Sequence, residues 1–457
     1  MARTVFRPNK RLMLAHWDVL CSNIGVRIAG SPEEQAAADY IESQFIRFDL
    51  KEVEQQRFVF PNWWMKKLRL RVGRKRPSRA VPCGPWPYSP STSDKGVFGD
   101  LVYLQAGSEL DFKGKKLKGK IGLTIGTLAS LMDKKFKSRL ACSGLLGLLM
   151  VDTRIPYNDV CPGGCAPQWA RGLTVPMAAV PFRTAIELVN SLPLKAHLLA
   201  TGRYNMDQSQ NVIGQIIGRR WPQQIVVVSA HHDSVWHSVG ANDNAAGVVF
   251  ILELARMLAK RRPARTIRFI SYGVEERLSV GAYVHARLLG REARKVRLVV
   301  NADAPGSRVG VDRVLVTGSA QASKLVDKHY KACGHPAQII RGSNIYSDQF
   351  PLNICGVPSL FITRPSLGDG HWTLHTGLDS LQNIDAVVLA RSVKTIAGLL
   401  DQLASQEHFG IPRSLGKDLL LDVRRGARDA YVHPWPIRKS EGICTLMPAD
   451  NNWCIAK

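Results

Sequence analysis

From about residue 211 to 403 the chain repeats one pattern: a short apolar run fit for a strand, then a longer run with helical periodicity. No other feature limits the fold as much. Ile225 to Ser229 is a run of branched apolar residues, as expected of a strand buried on both faces. Asn244 to Leu258 follows, with Val248, Ile251, Leu252, Ala255 and Leu258 on one helical face. Thr266 to Tyr272, Val296 to Asn301 and Val357 to Thr363 read as further strands. Leu389, Val393, Ile396, Leu400 and Leu403 form a second helical stripe. Strands alternating with helices predict an α/β fold, a mostly parallel sheet sandwiched between helices. In such sheets ligands bind beyond the carboxyl ends of the strands.

Ionisable residues collect at those ends. The stretch AHHDSVWHSVGANDNAAG (230–247) crowds histidines and aspartates between two apolar runs. A charge that leaves water is costly unless it is paired or binds a metal. His231 and Asp233 follow the first strand, and Asp243 comes just before the helix. Glu275 and Glu276 follow Tyr272, Asp303 follows Asn301, and the loop after Thr363 holds His371 and His375. Any one of these residues alone is better read as a cap or a solvated side chain. Arriving together at four strand ends, they suit Zn²⁺ or another divalent ion such as Mn²⁺ or Co²⁺.

The segments His231-His232-Asp233, Gly240-Ala241-Asn242-Asp243, Glu275-Glu276, Asn301-Ala302-Asp303 and His375-Thr376-Gly377-Leu378-Asp379 together resemble the catalytic domain of metallopeptidase family 28 over residues 211 to 403. IAGSPEEQAAADYI at 28–41 resembles the family's N-terminal helix region, and residues 96 to 199 resemble its inserted protease-associated domain. The resemblance implies a zinc-exopeptidase type of fold, with a small β-rich insertion and two divalent ions, expected to be Zn²⁺. It implies one metal on His231, Asp243 and Asp303, and the other on Asp243, Glu276 and His375, with Asp243 bridging. Asp233 would fix the His231 tautomer, and Glu275 would be the general base, taking a proton from the attacking water and returning it to the leaving amine. His232, His237 and His371 are expected to line the site. The chain departs from the family at Leu278, where glycine is common, at Gln349, which replaces a frequent histidine, and at Leu374, where many relatives carry tyrosine. Tyr346 is a candidate for the missing hydroxyl.

The implied activity is a zinc-dependent exopeptidase acting on peptides. An aminopeptidase must hold a substrate ammonium, which the acidic cluster of Asp243, Glu275, Glu276 and Asp303 could oppose. A carboxypeptidase or dipeptidase is the alternative, with Arg341 and Arg364 as candidate clamps for a terminal carboxylate. A non-catalytic receptor-like relative is disfavoured by the intact ligands and Glu275. A glutaminyl-cyclase-like relative with one zinc is disfavoured by the presence of both His231 and Asp303.

The remaining sequence sets the organisation. Ser31-Pro32-Glu33-Glu34 marks a helix start. Residues 53 to 80 suggest strands or a hairpin, and the Pro/Ser-rich 82–93 marks a boundary. Expected domains are 1–80 as the N-terminal part of the peptidase domain, 81–202 as the insertion, 203–405 as the catalytic domain and 406–457 as a tail without assigned role. Gly114 to Lys120 has phosphate-loop spacing, but Ile121 stands where a Mg²⁺-binding hydroxyl is needed. The formal net charge of +25 is spread over scattered basic runs, and no nucleic-acid motif accompanies them, so no specific nucleic-acid partner is expected. A homodimer is allowed. Cys161 and Cys165, in CPGGC, read as a Gly/Pro loop. No apolar run is long enough to span a bilayer and no signal peptide is visible, so a cytoplasmic location is expected.

Overall fold

The computed structural model describes residues 6–126, 128–151, 159–160, 166–366, 368, 370–431, 437–440 and 443–446. Its strands in chain order are β1 (Lys51–Gly73), β2 (Arg79–Val81), β3 (Gly84–Pro85), β4 (Val97–Tyr103), β5 (Ile121–Ile125), β6 (Gly147–Val151), β7 (Met177–Val180), β8 (Lys195–Ile216), β9 (Trp221–His231), β10 (Arg265–Tyr272), β11 (Val296–Ala302), β12 (Arg313–Thr317), β13 (Gln338–Arg341), β14 (Ser359–Thr363), β15 (Ile437–Ser440) and β16 (Ile443–Leu446).

The centre of the main sheet is parallel, in the order β14-β11-β9-β10. β12 flanks it antiparallel to β14, with β13 parallel to β12, and β8 runs antiparallel to β10 on the other side. Both faces of the parallel strands are buried. Val226, Val228, Ala230, Phe269, Leu298 and Val300 pack into one core with helices Lys10–Asp18, Pro32–Arg47, Gly247–Ala259 and Ala386–Ser405. The alternate residues Ile225, Val227, Ile270, Val296 and Val299 face the opposite core, against helix Val280–Leu289. Period-two alternation with both sets apolar explains why these strands read as continuous apolar runs. The anticipated helix cap is present: the Ser31 hydroxyl accepts from the Glu34 N–H at 3.1 Å.

A long antiparallel ribbon of β1 and β8 leaves the main sheet. Between its two strands in sequence lies a lobe whose strands β4 to β7 are parallel, with β4 also paired to β8. Helices Lys134–Ser143 and Phe182–Asn190 belong to the same lobe. The expected boundary at 202 lies inside β8, which therefore belongs to both sheets. Part of the 406–457 segment is packed: helix Lys417–Ala430 buries Leu419, Val423 and Ala430 in a cluster with Phe350, Leu278 and Trp169. Cys161, Cys165, Trp435, Trp453 and Cys454 lie outside the described residues. No helix among the described residues is long and apolar enough to cross a membrane.

Candidate metal centre

The carboxyl ends of β9, β10, β11 and β14 lie on the same edge of the parallel sheet, so the turns that follow them converge. His231 ends β9, Glu275 and Glu276 follow β10 after two residues, and Asp303 follows β11 directly. Asp243 sits in the turn leading to helix Gly247–Ala259, where Gly240 takes φ +55°. A Cβ there would come within 2.1 Å of the Asp243 carbonyl oxygen, so the turn requires glycine. His375 arrives on the loop after β14 with φ +58°, in the left-handed region.

Among the described residues, two groups of three could each hold a metal ion: His231, Asp243 and Asp303, and Asp243, Glu276 and His375. His231 Nε2 faces Asp243 Oδ1 at 3.2 Å and Asp303 Oδ1 at 3.6 Å. His375 Nε2 faces Glu276 Oε2 at 3.0 Å and the other oxygen of Asp243 at 3.5 Å. Glu275 Oε2 is 3.9 Å from His231 Nε2, yet Glu275 belongs to neither group. His231 Nε2 and Glu276 Oε1 are buried without a hydrogen-bond partner. Lone pairs converging from imidazole and carboxylates fit divalent cations.

Other side chains hold this set in place. Asp233 accepts from the N–H groups of Glu275 at 2.9 Å and Glu276 at 3.1 Å, one on each oxygen. The nearer partner of His231 Nδ1 is the Asp233 carbonyl oxygen at 3.2 Å, with the carboxylate at 3.5 Å. Contact through the main chain rather than mainly through the side chain differs from the expectation, because the Asp233 carboxylate is already engaged by the glutamate turn. Either contact accepts a hydrogen bond from Nδ1–H, which keeps the proton on Nδ1 and leaves the Nε2 lone pair free. Asp379 accepts from the N–H groups of Asn242 and Asp243 at 2.7 and 2.9 Å. Burial first, then the Asp243 charge, pushes the Asp379 carboxyl up to about 7. Ser229 donates to Asn301, Asn301 donates to Ser347, and Ser347 donates to Asp303 Oδ2 at 2.7 Å.

Electrostatics follows from the crowding. Burial, and then the neighbouring Asp348, Asp303 and Glu276, hold Glu275 well above the usual carboxylate range, against the opposing pull of His231. Burial alone would lower His231, but Glu275, Asp233, Asp243 and Asp303 outweigh it and raise its proton affinity. With the proton a stand-in for a cation, the site selects positive charge.

The extra histidines are separated by the structure. His232 is buried against Ser271 at 3.0 Å, and burial lowers it to about 4. His371 approaches Thr363 Oγ1 at 3.1 Å, while the half-exposed His237 faces Asp159 at 3.6 Å. Tyr346 is 49% exposed and packs edge-on to Trp169 at 6.2 Å. Arg364 donates to the Ser307 carbonyl and to buried Asp312 at 2.7 Å, and Arg341 makes a two-pronged pair with Asp418 at 2.6 and 2.7 Å. Sequence reasoning assigned no role to Arg27, whose buried guanidinium donates to carbonyls of His232, Val239 and Gly240 and so ties down the Asp243 loop. Its signal was a lone arginine in an otherwise apolar IGVRIAG. Asp348 was also missed; it is fully buried.

Aminopeptidase YwaD of Bacillus subtilis is 28% identical over 292 residues, covering 63% of this chain and 60% of its own length. Carboxypeptidase Q of Xenopus laevis is 24% identical over 301 residues, covering 61% of this chain and 62% of its own length. The chain thus spans about three fifths of these curated relatives. In fold it superimposes on BSAP, a zinc aminopeptidase from Bacillus subtilis, with a TM-score of 0.72, 22% identity and coverage of 88% of this chain and 96% of that one. Residues 211–400, which carry every candidate ligand, match the model of Peptidase family M28.

Proposed function

We propose that this protein is a zinc-dependent aminopeptidase that removes N-terminal residues from peptides with two divalent ions held by five side chains. The observation that carries the reading is the division of Asp243 between two clusters, one oxygen toward His231 and the other toward His375. Asp243 would be the ligand common to both ions, with His231 and Asp303 completing one set and Glu276 and His375 the other. Bound there, such ions supply Lewis acidity and make a water nucleophilic near neutral pH.

The chain's own groups supply the rest. Glu275, beside both clusters but in neither, has a carboxylate without ligand duty. It accepts the proton of the attacking water and delivers it to the leaving nitrogen. Asp233 fixes the main chain of Glu275 and Glu276 together, so base and ligand keep a constant spacing. The burial of Glu275 excludes bulk water and raises its affinity for the proton it must carry.

Polarity follows from charge. The arginines that could clamp a terminal carboxylate are committed elsewhere, Arg364 to Asp312 and Arg341 to Asp418. The carboxylates around the clusters favour a substrate ammonium. We read the lobe carried by β1 and β8 as a protease-associated domain that borders the cleft. Supporting this, its Asp159 accepts from the Gly377 N–H at 2.7 Å, two residues beyond His375.

The test is a matched pair of peptides, with Zn²⁺ present. One has a free N-terminus and an amidated C-terminus; the other is acetylated with a free C-terminus. The first should be hydrolysed, and elemental analysis should find two ions per chain. Turnover of only the acetylated peptide would turn the reading to a carboxypeptidase, the activity in the name of the Xenopus laevis relative.

A further inference from the structure

At the edge of the parallel sheet away from the metal centre, the amino ends of β9, β10 and β11 border an open hollow of about 440 Å³. Its walls include Gln224, Arg265, Arg297, Glu407, Phe409 and Ile411, so the segment after residue 406 supplies one side. A volume of this order, with apolar walls and a few placed polar groups, is that of a small-molecule site.

Arg265 opens β10 and is buried. Its guanidinium lies over Trp221, 4.4 Å from the ring centroid. It donates to the Gln224 side-chain oxygen at 2.8 Å and to the carbonyls of Leu403, Gln406 and Glu407. These bonds tie the start of the segment to the sheet and use one of the two hydrogens on Nη2. Because Gln224 accepts through its oxygen, its NH₂ group remains able to donate.

Arg297, the second residue of β11, is placed differently. Its guanidinium sits over the Phe409 ring at 5.4 Å. Among the described residues its buried Nε has no hydrogen-bond partner. Burial first, and then the charge of Arg413, lower its proton affinity, and no carboxylate offsets them. Arg265 is lowered in the same way, by burial and then by Arg297. Arg413 is spent on the carbonyls of Val296, Ala293 and Cys355. Glu407, the one acid on the wall, pairs with Arg220 at 3.4 Å. Most arginines of so basic a chain are solvated. One with a buried Nε, beside two others and without an acid, is destabilising unless an anion neutralises it.

We propose that this hollow binds a small anion through a carboxylate or phosphate group seated on Arg297, with Gln224 and Arg265 in the same wall. A guanidinium presents paired N–H donors that match the oxygens of either group. Nothing in this site depends on the metal centre or on the peptidase reading. It gives residues 407–411 a function, as the side of the hollow that Arg265 holds in place.

The test uses the full chain loaded with Zn²⁺, in low-salt buffer, titrated calorimetrically with inorganic phosphate, phenyl phosphate and benzoate. Bound metal can also take these anions. Each titration is therefore repeated on Arg297→Gln, which alters the end of β11 opposite Asp303. At least one probe should bind the parent saturably and bind the variant about ten- to a hundredfold more weakly, the loss expected for a hydrogen bond to a charged group. Preference for benzoate makes the ligand a carboxylate; phenyl phosphate ahead of phosphate makes it an organic phosphate. Stability separates binding from packing. Without the anion, Arg297→Gln should be at least as stable as the parent, because a repelling charge is gone; with it, only the parent should gain in Tm. Absence of saturable binding, equal binding by both proteins, or the same Tm deficit in the variant with and without anion would overturn the proposal. If Arg297→Gln does not fold, hydrogen exchange over residues 406–411 of the parent decides. Slower exchange with the probe supports the site, and unchanged exchange refutes it.

Discussion

Glu275 and Glu276 are adjacent in sequence and point to different tasks. Glu276 Oε2 lies 3.0 Å from His375 Nε2, in a ligand group; Glu275 stands outside both groups. Glu275→Ala should therefore keep both ions and lose most activity, on the order of 10²- to 10⁴-fold. Glu276→Ala should instead weaken metal binding, read by titration with Zn²⁺ under a competing chelator. Exchange of the two phenotypes would reverse the assignment of base and ligand. Alone, an acidic pair after a strand reads as an exposed loop; its place among ligand-type residues at four strand ends marked it, and its division into base and ligand came from the resemblance to metallopeptidase family 28. Asp348 and Glu34 were not legible in sequence. Asp348 gave no strand-end signal, and Glu34 looked like an ordinary helix-start acid. In the fold the Glu34 carboxylate accepts from Ser209 at 2.9 Å and from the Gly30 N–H at 2.6 Å, close behind the glutamate turn. Contacts of this kind join residues far apart in sequence, and no local pattern encodes them.

At the scale of elements, the parallel strands were readable because burial on both faces leaves only apolar residues. β12, β13 and the full length of β1 and β8 were less visible. β13 alternates exposed and half-buried positions, and β1 is charged along much of its length. Register between such strands comes from pairing, not from a hydrophobic stripe. The ribbon that β1 and β8 form carries the lobe to the cleft, where Asp159 meets the loop of His375. Supporting groups one step removed from a ligand commonly alter metal affinity by about tenfold or more. Asp159→Ala should accordingly weaken retention of one of the two ions by about tenfold and leave the other, seen as a split in the metal titration. Two ions of parental affinity would make the contact incidental and separate the lobe from the metal site.

For the molecule as a whole, charge is distributed in opposition. The chain carries a formal net charge of +25, yet its most buried ionisable cluster is acidic: Asp233, Asp243, Glu275 and Glu276 are each under 10% exposed. Ordinary basic surface residues are solvated and say little about function, so the excess read from sequence gave no hint of the site's sign. Buried like charges repel, and the protein must either bind protons there or bind cations. Divalent ions that bind the folded state alone stabilise it by mass action, about 2.7 kcal/mol at a hundredfold excess over Kd for one site. Chelation should lower Tm by several degrees, and Zn²⁺ should restore it in a concentration-dependent manner. Replacing Asp243 with Ala should abolish most of that response, because both clusters share this residue, whereas Asp303→Ala should leave the His375 cluster responsive. A Tm indifferent to chelator and to Zn²⁺ would mean that the carboxylates are held by protons instead, and the two-metal reading would fall with it.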